Sequence, residues 1–221
     1  GMRRSWQEGG VRWTRPCLQT PRRDLRAYLG RHGVAWVEDP SNADERFLRV
    51  RARRALAALA PVGITAEGLA RVATNLALAR GDLVDLALRS AARIARTDAG
   101  AVVLDLAGWK REGNDTRRRL LVAALRWVGS PPHAPRAEKI ARFEAAIWEG
   151  RSATLAGCRL RIGGAAFSIV REPGAVTRLA TPTDALWDSR WRLTGPHVPG
   201  LAVRALGAEG LPIELVLVEG K

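Results

Sequence analysis

Cys158-Arg159-Leu160-Arg161-Ile162-Gly163-Gly164-Ala165-Ala166-Phe167-Ser168-Ile169-Val170 is the stretch that decides the fold class. Cys158, Leu160 and Ile162 alternate with Arg159 and Arg161, and Phe167 and Ile169 alternate with Ser168 and Val170. A period of two sends successive side chains to opposite faces of a strand. Two such runs joined at Gly163-Gly164 predict a β-hairpin, because glycine accepts the positive φ of a tight hairpin turn. Upstream the period is 3.6, so the chain is expected to be α+β, mainly helical, with a C-terminal β-hairpin and short strands.

Moving toward the N-terminus, Ile140, Phe143 and Ile147 mark a helix from Pro135 to Trp148. Before it, Leu120, Leu121, Ala124, Leu125 and Val128 line one face of a helix capped by Asn114 or Asp115 and stopped by Pro131-Pro132. Trp127 and Trp148 read as core. Ala101 to Leu106 reads as a strand, with Trp109 in the loop that follows. Leu69, Val72, Leu76, Leu83, Leu86 and Ile94 recur at core-facing steps behind a Thr65 cap, with a kink or a break near Gly81. Pro61 and Gly63 end an earlier helix, for which Asp44 is the expected N-cap. Thr20-Pro21 opens another helix, and Gly33 closes it. Downstream of the hairpin, residues 173–184 read as a linker, and Trp187, Trp191, Val203 and Leu215 to Val218 as short strands. The expected organisation is residues 1–60, a helical domain with its hairpin over 61–172, and a linker with an incomplete β unit over 173–221.

Charge narrows the function. The 221 residues carry 36 Lys and Arg against 22 Asp and Glu, a net charge of +14. An excess of that size on a folded surface fits a polyanionic partner, whose phosphates it neutralises with release of counterions. Abundant Ala, Gly and Arg with scarce lysine also fits an arginine-rich coding background. Cys17 and Cys158 match no metal or redox spacing, which predicts free thiols in a reducing cytoplasm and leaves a disulfide between them open. His32, His133 and His197 are widely separated, so no metal site is expected. Without an apolar run of membrane-spanning length or a signal-peptide core, the chain is expected to be soluble and cytoplasmic, with no membrane partner.

The chemistry concentrates between Trp36 and Arg54. Asp39-Pro40-Ser41-Asn42 is turn chemistry, and Arg46, Arg49, Arg51, Arg53 and Arg54 crowd the residues after it. Arg46, Arg49 and Arg53 follow at helical steps, a repulsive face unless carboxylates or phosphates compensate it. Arg117, Arg118 and Arg119 form a second basic group. Glu38, Asp39 and Asp44 can orient a cation or an amine, though capping and pairing with the arginine helix is the reading the residues favour. No Ser-Gly-Gly-x-Asp-Ser loop, Walker sequence or Gly-x-Gly-x-x-Gly occurs to cradle a nucleoside triphosphate.

Arg15-Pro16-Cys17-Leu18, Arg23-Asp24-Leu25 with Tyr28, Trp36-Val-Glu-Asp39-Pro-Ser-Asn42-x-Asp44, and Arg49-x-Arg51-x-Arg53 together resemble the end of the catalytic domain of the tRNA(Ile)-lysidine synthetases. The likeness spans most of residues 11 to 171, most strongly the first third, and implies that 1–60 are the tail end of the PP-loop catalytic domain and 61–172 a helical tRNA-binding domain. It implies an ATP-dependent tRNA-modifying ligase that adenylates the wobble cytidine of tRNA(Ile) and joins lysine to it. By that likeness ATP and Mg are expected in an N-terminal PP-loop portion missing from this chain. The chain is then expected to be the tRNA-binding portion, inactive alone, with tRNA(Ile) and lysine as partners and room for a homodimer. Arg46, Arg49, Arg51, Arg53, Arg54, Arg117, Arg118 and Arg119 would bind RNA, with Asp39, Asn42 and Arg49 on the catalytic rim. Two positions depart from the family: Cys17 stands for Leu, and Val50 stands for an Asn whose side chain would hydrogen-bond. Leu211 to Lys221 is shorter than the family's further C-terminal domain. The alternative is a basic interaction module for an acidic protein, and a third reading is divergent enzyme chemistry on Glu38 and Asp39.

Overall fold

The computed structural model describes residue 2 and residues 4–206, which fall into two compact units, Gly1–Arg80 and Gly81–Lys221. The expected strand at Leu215 to Val218 lies outside the described residues. The fold is α+β and predominantly helical, with a C-terminal strand pair and short strands.

In the first unit, β1 (Ser5–Glu8) and β2 (Val11–Thr14) form an antiparallel hairpin. Gly9 and Gly10 make its turn at φ 58° and 77°. Helix α1 (Arg22–Arg31) follows, with Pro21 rather than Thr20 at its N-cap and Gly33 beyond its end at φ 64°. Helix α2 (Leu48–Leu59) starts three residues later than an Asp44 cap implies. The reason is local: the Asp44 carboxylate accepts from the Arg46 backbone N–H at 2.9 Å, closing a turn ahead of the helix. A 3-10 turn at Ala60–Val62 and Gly63 at φ 85° end α2 as expected. Val50 is the one buried residue among the described residues of this unit, at 4% exposure. An amide side chain there would need a buried partner, whereas valine needs none.

Helix α3 (Ala66–Ile94) begins at a Thr65 cap, whose Oγ1 accepts from the Gly68 N–H at 3.0 Å, and continues through Gly81. Ile94 is buried as predicted, but Leu69, Val72, Leu76, Leu83 and Leu86 are 37–65% exposed. Periodicity identifies an apolar stripe correctly and cannot say what covers it.

The second unit is built on an antiparallel sheet ordered β3-β4-β7-β6-β5. Its strands are β3 (Ala95–Asp98), β4 (Ala101–Asp105), β5 (Thr154–Leu155), β6 (Cys158–Gly163) and β7 (Ala166–Arg171). The β6–β7 hairpin turns through Gly164 at φ 58°, in the register Gly163↔Ala166. One sheet face presents Leu104, Leu160, Phe167 and Ile169 to a single core. That core is completed by α4 (Leu106–Arg111), α5 (Asn114–Gly129) and α6 (Ala137–Trp148), with Trp109, Leu121, Leu125 and Ala146 fully buried. β3 has no apolar alternation and escapes sequence reading. Trp109 sits on a helix rather than in a loop, because the Asp105 carboxylate caps the Gly108 N–H and starts α4 at once.

The expected linker contains α7 (Pro173–Val176) and β8 (Ala180–Pro182), which pairs with β9 (Ala202–Arg204). Trp127 and Trp148 are 41% and 47% exposed, so neither is wholly core. Trp148 instead shares its ring faces with cations: Lys110 lies 5.1 Å and Arg117 5.4 Å from its centroid.

Both thiols are free, Cys17 exposed and Cys158 buried. Burial pushes the Cys158 thiol up to about 11. At pH 8 an aromatic disulfide reagent should titrate Cys17 alone, with Cys158 reacting only after denaturant is added. Leu121→Ala should destabilise the second unit by about 2–5 kcal/mol, read as a lower urea midpoint.

Candidate nucleic-acid interface

The segment from Trp36 to Arg54 organises itself around its carboxylates. Glu38 receives Arg22 at 2.7 Å, Arg26, and the Trp36 indole N–H at 2.9 Å. The Trp36 hydrogen bond, aided by the two guanidinium charges, holds the Glu38 carboxyl below its ordinary range. Asp39 accepts from the Ser41 backbone N–H at 2.8 Å, which locks the Asp-Pro-Ser-Asn turn and lowers the Asp39 pKa. Asn42 is half-buried, and its backbone N–H donates to the Asp39 carbonyl at 3.0 Å. Arg49 reaches back to the Ser41 hydroxyl at 3.3 Å and lies 4.1 Å from the Phe47 ring centroid. The rim residues Asp39, Asn42 and Arg49 are therefore brought to one turn.

The arginines divide by partner. Arg46 forks onto Asp44 at 2.7 and 2.9 Å, which lowers the Asp44 pKa, and Arg54 pairs with Glu45. Arg51 and Arg53 are exposed and have no ion-pair partner among the described residues. They flank the Val50 face of α2 from opposite sides, Arg53 next to Arg49 at i,i+4 and Arg51 next to Arg54 at i,i+3. The face is thus split in two rather than continuous.

In the second unit, Arg118 and Arg119 share Asp115, at 2.8 Å for Arg118, and the pair lowers the Asp115 pKa. Arg117 is committed inward. Its Nε donates to Glu144 at 2.8 Å, and its guanidinium lies 5.5 Å from the Trp109 centroid and 5.4 Å from that of Trp148. At 14% side-chain exposure it ties α5 to α6 and is not turned toward solvent. Its neighbours in sequence could not disclose that, since three consecutive arginines on a helix point in three directions.

Sequence reading missed a second arginine group in this unit: Arg161, Arg171, Arg190 and Arg204, all lining one cavity with Trp187 and Trp191. The available signal was the outward alternation of Arg159 and Arg161 on β6. Among the described residues no cluster of three or more His, Cys, Asp and Glu gathers to hold a metal ion. No single helix there is long and apolar enough to cross a membrane.

Residues 1–60 match the family of PP-loop domains. That match defines the class of the segment just described, from the β1–β2 hairpin through α2. Beyond it, the chain is similar to the tRNA(Ile)-lysidine synthase of Ruegeria pomeroyi, 42% identical over 93% of this chain and 49% of that protein. It is 31% identical to the Caulobacter vibrioides tRNA(Ile)-lysidine synthase over 91% of this chain, and 33% identical to that of Mesorhizobium japonicum over 92%, each covering 44% of the relative. The chain spans about half the length of these relatives. The domain match and these relatives together support a tRNA(Ile)-lysidine synthase family likeness along nearly the whole chain.

The PP-loop match corrects the expectation that the ATP-binding region is missing, and with it the readings of an inactive tRNA-binding remnant and of ATP and Mg confined to an absent portion. Residues 1–60 match that domain although no Ser-Gly-Gly-x-Asp-Ser string occurs in them.

The Glu38 cluster sets a pH dependence. A lowered carboxyl pKa contributes stability that is complete above the ordinary value of 4.5 and is lost as pH falls through the lower folded value. Acid titration should therefore shift the Trp36 emission only below pH 4.5. Glu38→Gln should remove the Trp36 contribution, read as the difference between the two titrations, since Trp6 also donates to a carboxylate, Glu8.

Proposed function

We propose that this chain belongs to the machinery of tRNA(Ile) lysidine formation, with tRNA(Ile), ATP and lysine as substrates of the whole protein. Residues 1–60 serve the PP-loop catalytic domain, 61–172 bind tRNA, and 173–221 add a further β unit. The observation that carries this reading is the likeness to proteins of that name through 93% of the chain at 42% identity. The net charge of +14 and the guanidinium groups on α2 supply the physics.

In this reading Arg51 and Arg53 take backbone phosphates directly, since no carboxylate must be displaced first. Arg46 and Arg54 exchange Asp44 and Glu45 for phosphate, a swap between two ion pairs with little net gain. Arg118 and Arg119 do the same against Asp115. Arg117 does not contact RNA; it holds the helices that carry its neighbours. Asp39 stays ionised at neutral pH and keeps the turn closed through Ser41, so that Asn42 and Arg49 sit at the rim with fixed backbone.

Fluorescence anisotropy of labelled tRNA(Ile) against salt tests this. Binding should weaken steeply with salt, and Arg51→Ala with Arg53→Ala should lower the slope of log K against log salt by about 2. Arg46→Ala with Arg54→Ala should lower it less. Binding that is undetectable at low salt, or indifferent to salt, sinks the tRNA reading and favours an acidic polypeptide as the partner.

A further inference from the structure

The outward face of the second unit's sheet is not bare. Register places Arg161, Ser168 and Val103 in one cross-strand row over β6, β7 and β4, on the face opposite Phe167 and Leu160. The segment from Trp187 to Leu206 lies over this face and encloses a cavity of about 720 Å³. Its walls are Val103, Val170, Leu193 and Val203 with the indoles of Trp187 and Trp191.

The lid over this cavity is fastened at both ends of a tight turn. Arg171 forks onto Asp188 at 2.8 and 2.7 Å and also donates to the Gly157 carbonyl at 2.8 Å. The Asp188 side chain is only 6% exposed. Arg190 donates to the carbonyls of Gly100 at 2.8 Å and Val128 at 3.0 Å. Asp188 and Ser189 take φ of 50° and 55°, and Trp187 and Trp191 pair across the turn. Any Cβ at Gly100 would stand 2.3 Å from the Trp191 ring, so glycine is what lets the indole seat there. A polar network of this kind fixes two aromatic rings beside an open apolar space.

We infer that this cavity receives one unpaired nucleotide of an RNA strand, its base held against Trp187 and Trp191 and its flanking phosphates on Arg161 and Arg204. Three observations converge. The volume is in the range of small-ligand sites. Indoles offer π-faces to any base, as single-strand readers do. Arg161 and Arg204 are exposed at the cavity and have no ion-pair partner among the described residues, whereas Arg171 is neutralised by Asp188. The inference rests on the proposed tRNA function and adds to it a site that reads an unstacked base rather than backbone charge.

The test uses the full chain and two single-stranded RNA hexamers. One carries a single 2-aminopurine among abasic riboses, and the other is wholly abasic with the same phosphates. The first should bind about tenfold more tightly, with its fluorescence quenched on binding, because one stacked base distinguishes them. Arg161→Glu with Arg204→Glu, both at exposed positions, should abolish the quenching while circular dichroism stays unchanged. Equal affinity of the two hexamers overturns the base site, as does quenching that survives in the double variant. Adenosine monophosphate binding as tightly as the 2-aminopurine hexamer overturns the assignment to an RNA strand. None of these outcomes depends on tRNA(Ile): salt-dependent tRNA binding with equal hexamers leaves the proposed function standing and removes only this site. Discrimination between hexamers without tRNA binding does the reverse.

Discussion

An arginine can meet a phosphate only with the part of its fork that no carboxylate has already taken, and this competition shapes what the chain's surplus charge does. With 36 cationic side chains against 22 anionic ones, guanidinium groups must share carboxylates or go without. The distribution is uneven in an informative way. Carboxylates collect arginines where backbone must be fixed, as Glu38 does between Arg22, Arg26 and Trp36 and as Asp188 does under the Trp187–Trp191 turn. Among the described residues, the exposed arginines without an ion-pair partner include Arg51 and Arg53 in one unit and Arg161 and Arg204 in the other. Structure and binding are thus served by one residue type, sorted by what lies within hydrogen-bond reach.

Arg117 shows how sharp that sorting is. Its neighbours Arg118 and Arg119 are held at the surface by Asp115, while Arg117 lies over two indoles and donates to Glu144. The same fork that suits phosphate also suits a carboxylate among aromatic faces. Replacing it by lysine would keep the charge and lose the planar group that α5 and α6 share.

Much of the second unit was legible from residue order. The alternation at Cys158–Val170 gave the hairpin, and the 3.6 period at Leu120–Val128 gave the core face of α5, because in both cases burial and local geometry repeat together. Helix starts were less legible: Asp44 has the chemistry of an N-cap but spends it on a turn one step earlier. The Asp39 turn and the arginine crowd were visible as candidates, though which guanidinium is paired depends on side-chain directions that spacing does not determine. The Trp187–Trp191 cavity was invisible because its walls come from strands and loops up to about a hundred residues apart. The absence of the glycine-rich string implies a missing ATP-binding region, yet residues 1–60 match the PP-loop domain without that string.

The contrast in burial between the units has a consequence for how the chain opens. The sheet and helices around Trp109, Leu121 and Phe167 exclude water from a continuous core, whereas Val50 alone is buried among the described residues of Gly1–Arg80. Backbone amides in β4, β6, β7 and α5 can exchange with solvent only through concerted opening of that core. Those of α1 and α2 need only the loss of a helical turn and a surface ion pair. A protease presented with this chain therefore meets accessible bonds in α1 and α2 before any in the second unit's sheet.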